Sequence, residues 1–479
     1  MSFKDECGIF GIYNNNSEQF TTSLLTYYGL FALQHRGQES AGIVTLERDK
    51  NKTYSYRQMG RVSKIFNENI LNHLAGDIGI GHVRYSTHGA SAIRNIQPLV
   101  VEFGNGPFAI AHNGNLVNSD ILRKELQNEG SIFHTTVDTE VIVHLMSKGY
   151  YQDMENTIIT ALNKIKGAFS LVMMSSNNLI AARDPYGFRP LSLGKLGDSW
   201  VVASETSAFD LIRAEFVRDI EPGEVLFIDK NGLKSLFLED YKKVNHAHCV
   251  FEFIYFARPD SLIFGGKSVY ELRKNFGRKL AQESNVEADM VIPVPDSGVP
   301  AAIGYSQESN IPFEMGLIRN HYVGRSFIQP DQNLRDLAVK LKLNPVRELF
   351  KGKKIIVIDD SIVRGTTSRK IINMLREAGA KEIHLRISSP PVLGSCYYGI
   401  DTPAQDELIA NVFDANTTEI KDKLGADSLE YLSLNGLNEV IGTDHKYCLA
   451  CFNKKYPVSP KGIERSPQMS LFELSKEDL

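Results

Sequence analysis

Long hydrophobic runs and an excess of charge of either sign are both missing from this chain of 479 residues. No apolar run approaches the roughly 20 residues that a membrane-spanning helix needs, and the first residues lack the apolar core of a secretory signal. The 53 lysines and arginines nearly balance 57 aspartates and glutamates, so we expect neither nucleic acid nor a membrane as a partner. These absences predict a cytoplasmic protein.

Cysteine is scarce and tryptophan almost absent, since the chain has five of the first and one of the second. Because the cytosol keeps thiols reduced, structural disulfides are not expected, and the cysteines need another role. General disorder is excluded, because 25 phenylalanines and 19 tyrosines can bury a sizeable core. The length suggests about three domains, or two large ones.

Short strands broken by helices dominate the first half of the sequence, which predicts a layered α+β domain. After residues 235–255 the pattern changes, and buried strands alternate with helices, as at 289–294, 355–358 and 382–387. This alternation predicts an α/β domain whose parallel sheet carries helices on both faces. The predicted divisions are a leader (1–6), a first domain (7–235), a second domain (236–454) and a polar tail (455–479).

A cysteine close to the amino terminus precedes a glycine and an apolar strand. If cleavage removed residues 1–6, Cys7 would carry both a thiol and a free α-amine. An α-amine with a pKa near 8 can accept the thiol proton, so the residue would bring its own base. Taken alone, a buried structural thiol is the commoner explanation of such a cysteine.

Polar residues inside otherwise apolar stretches favour the catalytic interpretation. Asn113 and Gly114 offer a side-chain amide and a backbone N–H, which can hold the oxyanion formed when a thiolate attacks an amide. Arg84 could bind a carboxylate and Asp138 an ammonium group, and a substrate that bears both groups and an amide is glutamine. Singly, each could instead belong to a turn or a surface ion pair, and Asn-Gly is also a hairpin signal.

Four polar or glycine-bearing motifs follow one another along the first half of the chain: Cys7-Gly-Ile-Phe-Gly-Ile12, Leu33-Gln-His-Arg-Gly37, Gly81-His-Val-Arg-Tyr-Ser-Thr87 and His112-Asn-Gly-Asn115. In this order they resemble the class II glutamine amidotransferase domain over roughly residues 7–235. The resemblance implies the N-terminal nucleophile hydrolase fold, a four-layer sandwich of helices around two sheets. It also implies that Cys7 is the nucleophile, that Asn113 and Gly114 form the oxyanion hole, and that Arg84 and Asp138 contact glutamine.

A second group of polar residues follows the buried strand at 355–358. Asp359 and Asp360 lie at its carboxyl end, where ligands of open parallel sheets bind. The loop that follows is rich in hydroxyls and opens a helix, whose N-terminus favours phosphate. The carboxylates could bind ribose hydroxyls or Mg²⁺, and the loop could bind a phosphate, so the pattern predicts a sugar-phosphate site. The structural alternative is a strand-to-helix turn capped by Asp and Ser. The candidate loop contacts are Ser361, Arg364, Gly365, Thr366, Thr367 and Ser368.

The stretch from Lys353 to Ser368 resembles the phosphoribosyltransferase fingerprint. In the same way, Val294–Pro300 resembles the pyrophosphate loop of that family, which implies that Ser297 lies near Mg²⁺. Residues 319–347 are basic and resemble the flexible loop that closes over phosphoribosyl pyrophosphate, although a solvated basic face is the alternative for any one residue. The implied pyrophosphate contacts are Arg325, Arg335, Lys340 and Lys342.

The four remaining cysteines include one closely spaced pair and two distant single residues. Four thiolates suit a [4Fe–4S] cluster or a tetrahedral zinc ion. Unrelated buried thiols are the alternative, which the Cys-x-x-Cys spacing makes less attractive. The four residues are Cys249, Cys396, Cys448 and Cys451.

A glutaminase and a phosphoribosyltransferase on one chain resemble the amidophosphoribosyltransferase family. The short leader, the four cysteines and the motifs at 248–255 and 446–451 resemble its iron–sulfur subgroup with a short propeptide. The resemblance implies glutamine-dependent amination of phosphoribosyl pyrophosphate, Mg²⁺, a structural [4Fe–4S] cluster, inhibition by purine nucleotides and a homotetramer. Two alternatives stay open: a glutaminase that feeds another acceptor, and a non-catalytic regulator that binds phosphoribosyl pyrophosphate.

Overall fold

The computed structural model of the chain describes residues 7–15, 21–85, 92–103, 106–148, 153–320, 342–442 and 446–459. Two sheets built from β1 to β13 form the first part of the molecule. The strands are β1 (Gly8–Tyr13), β2 (Ser40–Glu47), β3 (Lys52–Met59), β4 (Ile78–Arg84), β5 (Leu99–Phe103), β6 (Gly106–Leu116), β7 (Gly167–Met174), β8 (Leu179–Arg183), β9 (Ser192–Leu196), β10 (Ser199–Ala203), β11 (Glu215–Asp219), β12 (Glu224–Asp229) and β13 (Gly232–Phe237).

Seven α-helices accompany these strands in the residues that the structure describes. One sheet has the strand order β11-β9-β10-β1-β4-β2-β3 and the other β13-β12-β8-β7-β6-β5. All the strand pairs in both sheets are antiparallel. The helices are α1 (Thr22–Ala32), α2 (Val62–Ile65), α3 (Glu68–His73), α4 (Ser119–Asn128), α5 (Thr139–Lys148), α6 (Met154–Leu162) and α7 (Ser207–Ile212).

The two sheets pack face to face with helices outside both, so the predicted four-layer sandwich is confirmed. The alternation of side chains along β1 explains this layering. Ile9 and Tyr13 point into the core between the sheets, whereas Phe10 and Ile12 pack under α1 and α7. A third core joins the outer face of the second sheet to α4, α5 and α6. Cys7 therefore precedes a strand that is buried on both faces.

The second part is built around a four-stranded parallel sheet in the order β17-β20-β21-β22. A short π-helical segment, Glu252–Phe256, follows the first of its small strands. The strands are β14 (His248–Cys249), β15 (Leu262–Ile263), β16 (Lys267–Ser268), β17 (Met290–Pro293), β18 (Leu317–Arg319), β19 (Leu343–Pro345), β20 (Lys354–Asp359), β21 (Glu382–Ile387), β22 (Ser428–Tyr431) and β23 (Tyr447–Cys448).

Helices cover both faces of this parallel sheet, as predicted. Along β20, Ile356 and Ile358 pack with residues of α8 and α9, whereas Ile355 and Val357 pack with residues of α10 and α12. The helices are α8 (Val269–Glu283), α9 (Val299–Ser309), α10 (Thr366–Glu377), α11 (Ile409–Val412), α12 (Thr417–Leu424), α13 (Leu434–Ile441) and α14 (Ala450–Asn453).

The structure bears on the predicted domain boundary and on the two predicted terminal segments. The strand β13 ends at Phe237 and so crosses the predicted boundary at residue 235; the division itself stays a prediction. The predicted leader and most of the predicted tail lie outside the described residues. Within the described ranges, no helix combines the length and apolar character needed to cross a bilayer.

Candidate active sites

The predicted nucleophile, Cys7, stands directly before β1, which lies between β10 and β4 in its sheet. Its thiol is buried and donates a hydrogen bond to the carbonyl oxygen of Tyr85 at 3.5 Å. Burial raises the pKa of the thiol to about 11, against the lowering effects of the Tyr85 bond and the Arg84 charge. A thiol with that pKa is protonated at neutral pH, so it needs a base before it can attack a substrate.

The structure brings both predicted glutamine contacts to the vicinity of Cys7. The charge of Arg84 lowers the pKa of the thiol and that of Asp138 raises it, so both side chains lie within electrostatic reach of the sulfur. Arg84 ends β4 and is buried. Asp138 precedes α5, and its Oδ2 accepts a hydrogen bond from the N–H of Leu116 at 2.9 Å. A cationic and an anionic side chain thus flank one thiol.

The predicted oxyanion pair lies in the middle of β6, so the hairpin alternative for Asn113-Gly114 is wrong. Asn113 is 1% exposed, and its Nδ2 has no hydrogen-bond partner among the described residues. Buried donors are normally paired, so this one is available to hydrogen-bond a ligand. Gly114 has φ +152°, and a Cβ atom there would stand 2.1 Å from the carbonyl oxygen of Ala168. Only glycine fits at that position.

Sequence reasoning missed one residue that touches the nucleophile. Arg36 is fully buried, and its Nε donates a hydrogen bond to the carbonyl oxygen of Cys7 at 3.1 Å. Its two terminal nitrogens face the carboxylates of Glu205 and Glu252. Arg36 belongs to the polar motif at 33–37, so the sequence marked it as a candidate functional residue. Nothing in that motif indicated that its guanidinium binds the backbone of Cys7.

The two adjacent carboxylates of the second site stand at the carboxyl end of β20, as predicted. Ser297 donates to Oδ2 of Asp360 at 2.5 Å, and Ser361 donates to Oδ1 of the same residue at 2.6 Å. Burial raises the pKa of Asp359 well above its usual range, and the charge of Asp360 adds to that rise. Burial raises the pKa of Asp360 as well. Two carboxylates that resist ionisation side by side are suited to receive a cation.

The loop after the diacid leads directly into α10. Gly365 has φ +72° and immediately precedes the helix, so the first backbone N–H groups of α10 lack a capping side chain. Thr366 and Thr367 are at least partly exposed there, whereas Ser368 is buried. Arg364 forms an ion pair with Glu407, so its predicted role as a substrate contact would require that pair to open.

Most of the predicted flexible loop lies outside the described residues, which stop at 320 and resume at 342. Arg325, Arg335 and Lys340 are among the residues left out, so their predicted roles stay predictions. The two ends of the loop are described and pair with each other as the antiparallel strands β18 and β19. Arg319, the last residue of β18, forms an ion pair with Asp296 in the predicted pyrophosphate loop.

The four remaining cysteines come together although up to 202 residues separate them in sequence. Cys249 and Cys448 are direct partners in the parallel pair formed by β14 and β23. All four line one small cavity, with Phe188 and Tyr398 among its walls. Burial raises the pKa of Cys448 to about 12, and it raises that of Cys451 as well. In the described part of the chain, no three Cys, His, Asp or Glu residues are placed to hold a single metal ion.

The segment that follows Cys396 also contacts β6, the strand that carries Asn113 and Gly114. The side-chain amide of Asn115 donates to the carbonyl oxygen of Tyr397 at 2.9 Å. A Cβ atom on Gly399 would stand 3.0 Å from the backbone of Gly114. The cysteine-lined cavity and the strand that carries Asn113 and Gly114 are therefore linked by direct contacts, which no sequence pattern predicted.

Comparisons with known proteins agree with this arrangement. A family model described as a glutamine amidotransferase domain matches residues 82–211, and one described as a phosphoribosyl transferase domain matches residues 267–388. The first match includes Asn113 and Gly114 but not Cys7, and the second includes Asp359 and Asp360. Each match thus lies within one of the two parts of the fold.

Relatives also match nearly the whole chain. Amidophosphoribosyltransferase 1, chloroplastic, of Arabidopsis thaliana is 51% identical over 96% of this chain and 80% of its own length. The amidophosphoribosyltransferase of Bacillus subtilis is 48% identical over 95% of this chain and 94% of its own. A solved structure, glutamine phosphoribosylpyrophosphate amidotransferase from B. subtilis complexed with ADP and GMP, is 47% identical with a TM-score of 0.88, and covers 95% of this chain and 98% of that one.

Proposed function

Because this chain belongs to the amidophosphoribosyltransferase family, we propose roles for its residues in the reaction of that family. The chain is an enzyme that aminates phosphoribosyl pyrophosphate with the amide nitrogen of glutamine. The products are phosphoribosylamine, glutamate and pyrophosphate, and the reaction is the first committed step of purine biosynthesis. Which residues perform each half-reaction is the proposal.

The glutaminase half-reaction uses Cys7 as its nucleophile. Since the pKa of the buried thiol is about 11, only about one molecule in 10⁴ would carry a thiolate at pH 7 without help. Removal of residues 1–6 would supply an α-amine on the same residue, with a pKa low enough to accept the thiol proton. The thiolate attacks the glutamine amide, ammonia leaves, and water releases glutamate from the thioester.

The observation that carries this assignment is the orphaned amide of Asn113. A donor that is 1% exposed and unpaired among the described residues costs free energy unless a ligand uses it. The oxyanion of the tetrahedral intermediate would accept from Asn113 Nδ2 and from the backbone N–H of Gly114. Arg84 and Asp138 would hold the carboxylate and the ammonium group of glutamine, so the amide is presented to Cys7 in one orientation.

The synthase half-reaction takes place at the diacid. Asp359 and Asp360 would bind ribose hydroxyls or Mg²⁺, and the start of α10 would bind the 5′-phosphate. A Mg²⁺ ion held by these carboxylates beside Ser297 would neutralise negative charge on the departing pyrophosphate. The raised pKa values of Asp359 and Asp360 support a cation at this position. A bound cation would favour the ionised carboxylates, which burial alone disfavours. Arg325 and Lys340 remain candidate pyrophosphate contacts.

A [4Fe–4S] cluster bound by the four cysteines is the cofactor that we propose for the second part. A tetrahedral zinc would need sulfurs roughly 3.8 Å apart, from Zn–S bonds near 2.3 Å. The four cysteines line one shared cavity, and either group would use the same four thiolates. A cluster binds each thiolate to a different iron, and visible absorbance with metal analysis would distinguish it from zinc. Its role would be structural, since it would tie β14, β23 and the segment at 396 together.

Regulation, assembly and location complete the proposal. The B. subtilis structure is complexed with ADP and GMP, which supports inhibition of this enzyme by purine nucleotides. A homotetramer and a cytoplasmic location stay predictions, and several relatives are named as chloroplastic proteins.

The test compares wild type with Cys7→Ala in two assays, one with glutamine and one with high ammonium as the nitrogen source. Cys7→Ala should lose glutamine-dependent synthesis and keep ammonia-dependent synthesis within about threefold, because ammonia bypasses the thiol. Intact mass of the active wild-type enzyme should show a chain that begins at Cys7. Full glutamine-dependent activity of Cys7→Ala, or an active chain that still begins with Met1, would contradict the assignment.

A further inference from the structure

A buried glutamate in the second part of the molecule reaches the nucleophile through one arginine. Glu252 begins the π-helical segment and is 0% exposed. Its Oε2 accepts from Nη1 of Arg36 at 3.0 Å and its Oε1 from Nη2 at 2.8 Å. The remaining nitrogen of Arg36, Nε, donates to the carbonyl oxygen of Cys7 at 3.1 Å. One planar guanidinium therefore joins Glu252 to the backbone of Cys7.

Two buried carboxylates face Arg36, and they contribute differently. Glu205 contacts Nη1 at 2.5 Å, and its carboxylate is shared with three other groups. Glu252 instead makes a two-point contact, which fixes the plane of the guanidinium, and its Oε1 also lies 3.5 Å from Nη1 of Arg189. The direction of Nε, and so of the bond to Cys7, therefore depends on Glu252.

The position of Glu252 is itself set by the phosphoribosyl part of the fold. Arg273, on α8, is buried and donates to the carbonyl oxygens of Phe253 and Ala257 at 2.6 and 2.8 Å. It thus clamps both ends of the segment that follows Glu252. Burial lowers the pKa of Arg273 to about 10, and the charge that most opposes this is that of Asp360. The clamp therefore lies within electrostatic reach of the diacid.

We propose that Glu252 is a positioning residue of the glutaminase reaction, supplied by the part of the chain that binds phosphoribosyl pyrophosphate. It holds Arg36 in the orientation in which Nε fixes the Cys7 carbonyl, and so it sets the direction of the thiol and of the α-amine on the same residue. Attack on an amide needs that alignment, because a misplacement of about 1 Å can cost on the order of 10² in rate. The inference rests on Cys7 as the nucleophile.

The experiment uses the full-length enzyme with Glu252→Gln, which keeps the size of the side chain and removes its charge and one of its two acceptors. We expect the kcat for glutamine hydrolysis to fall about 10- to 100-fold. The KM for glutamine should change less than about threefold, because Arg84 and Asp138 are untouched. Ammonia-dependent synthesis should also stay within about threefold. Glu252→Asp keeps the charge, shortens the reach and should lower the same kcat.

A matched control separates this role from the general cost of breaking a buried ion pair. Glu224 is 1% exposed and binds Arg218 at two points, at 2.7 and 2.8 Å. Glu224→Gln should lower the thermal midpoint as well, though by less, because Arg218 is 35% exposed, and it should leave the glutaminase kcat within about threefold of wild type. The comparison isolates what Glu252 does at Cys7.

Each outcome decides the question. A glutaminase kcat within threefold of wild type in both Glu252 variants would overturn the inference, as would parallel loss of glutamine- and ammonia-dependent rates. If Glu252→Gln does not fold, Glu252→Asp decides by the same thresholds. Glutamine-dependent activity in Cys7→Ala would remove the proposed nucleophile and this inference with it. Unaffected Glu252 variants beside an inactive Cys7→Ala would remove only this inference.

Discussion

Replacement of Asn113 by alanine should separate catalysis from stability in this enzyme. In a typical buried asparagine the amide is paired, and its removal costs both hydrogen bonds and packing. Here Nδ2 is buried on β6 without a partner among the described residues. The folded protein therefore bears the desolvation cost of a donor that only a reaction intermediate would use.

The magnitudes follow from that geometry. Loss of one oxyanion donor typically lowers kcat by about 10² to 10³, or roughly 2.7–4 kcal/mol of transition-state stabilisation. The unpaired donor costs the folded state roughly 1–3 kcal/mol, and its removal recovers that cost. A residual cavity of roughly 30 Å³ would reduce this gain in folding stability by about 0.7 kcal/mol. Asn113→Ala should thus be as stable as wild type or more stable by up to about 2 kcal/mol.

Three rates and one unfolding curve measure these effects. Glutamine hydrolysis and glutamine-dependent synthesis should both fall by the full factor, with a nearly unchanged KM for glutamine. Ammonia-dependent synthesis should be unchanged. Asn115→Ala is the matched control, because Asn115 lies two residues further along the same strand and its amide is paired with Tyr397. That variant should lose about 0.5–1.5 kcal/mol of stability and keep most of its glutaminase kcat.

Two results would refute this reasoning. A glutaminase kcat above about one third of wild type in Asn113→Ala would show that the amide does not stabilise the oxyanion. A loss of more than about 2 kcal/mol in the free energy of unfolding would show that the amide has a structural partner.

Three further predictions concern other parts of the two sites. Gly114→Ala should abolish glutamine-dependent synthesis, because the new Cβ would stand 2.1 Å from the Ala168 carbonyl oxygen; normal activity would contradict the close approach. Burial raises the carboxyl pKa of Asp359 and Asp360 above the usual 3.8, so the ligand-free protein should lose stability as pH rises above about 4 and through the raised values. Asp359→Asn should therefore raise the thermal midpoint more at pH 8 than at pH 5, and equal shifts would refute this. Cys448→Ser should give insoluble or unprocessed protein without the visible absorbance of an iron–sulfur cluster, and soluble, processed protein would count against the structural role.

Much of the fold was predictable because it depends on local patterns. The alternation of apolar residues predicted β1, a continuous apolar run predicted β20, and the acidic pair at the end of that run located the diacid of Asp359 and Asp360. Each of these signals lies within a few residues of the feature that it predicts. The resemblance to the class II glutamine amidotransferase domain also implied that Arg84 and Asp138 belong near Cys7, and the structure brings these three residues together.

The remainder was not predictable, because it depends on contacts between distant segments. Arg36 and Glu252 are 216 positions apart, and neither has a periodicity or a neighbour that indicates the other. The same holds for Gly399 and Gly114, two glycines that approach each other closely although they are far apart in the sequence. Such pairs are fixed only when the two halves of the chain pack together.

The contacts beyond Cys396 explain why a cofactor with a structural role would matter to an enzyme without redox chemistry. The N–H of Tyr398 donates to Cys396 Sγ at 3.3 Å, and the next residue, Gly399, packs against the backbone of Gly114. If the four cysteines bind a cluster as proposed, iron–sulfur bonds at Cys396 would fix the wall behind the oxyanion glycine. Loss of the cluster would then impair glutamine hydrolysis before it impaired ammonia-dependent synthesis, because the diacid lies on a different element, at the end of β20.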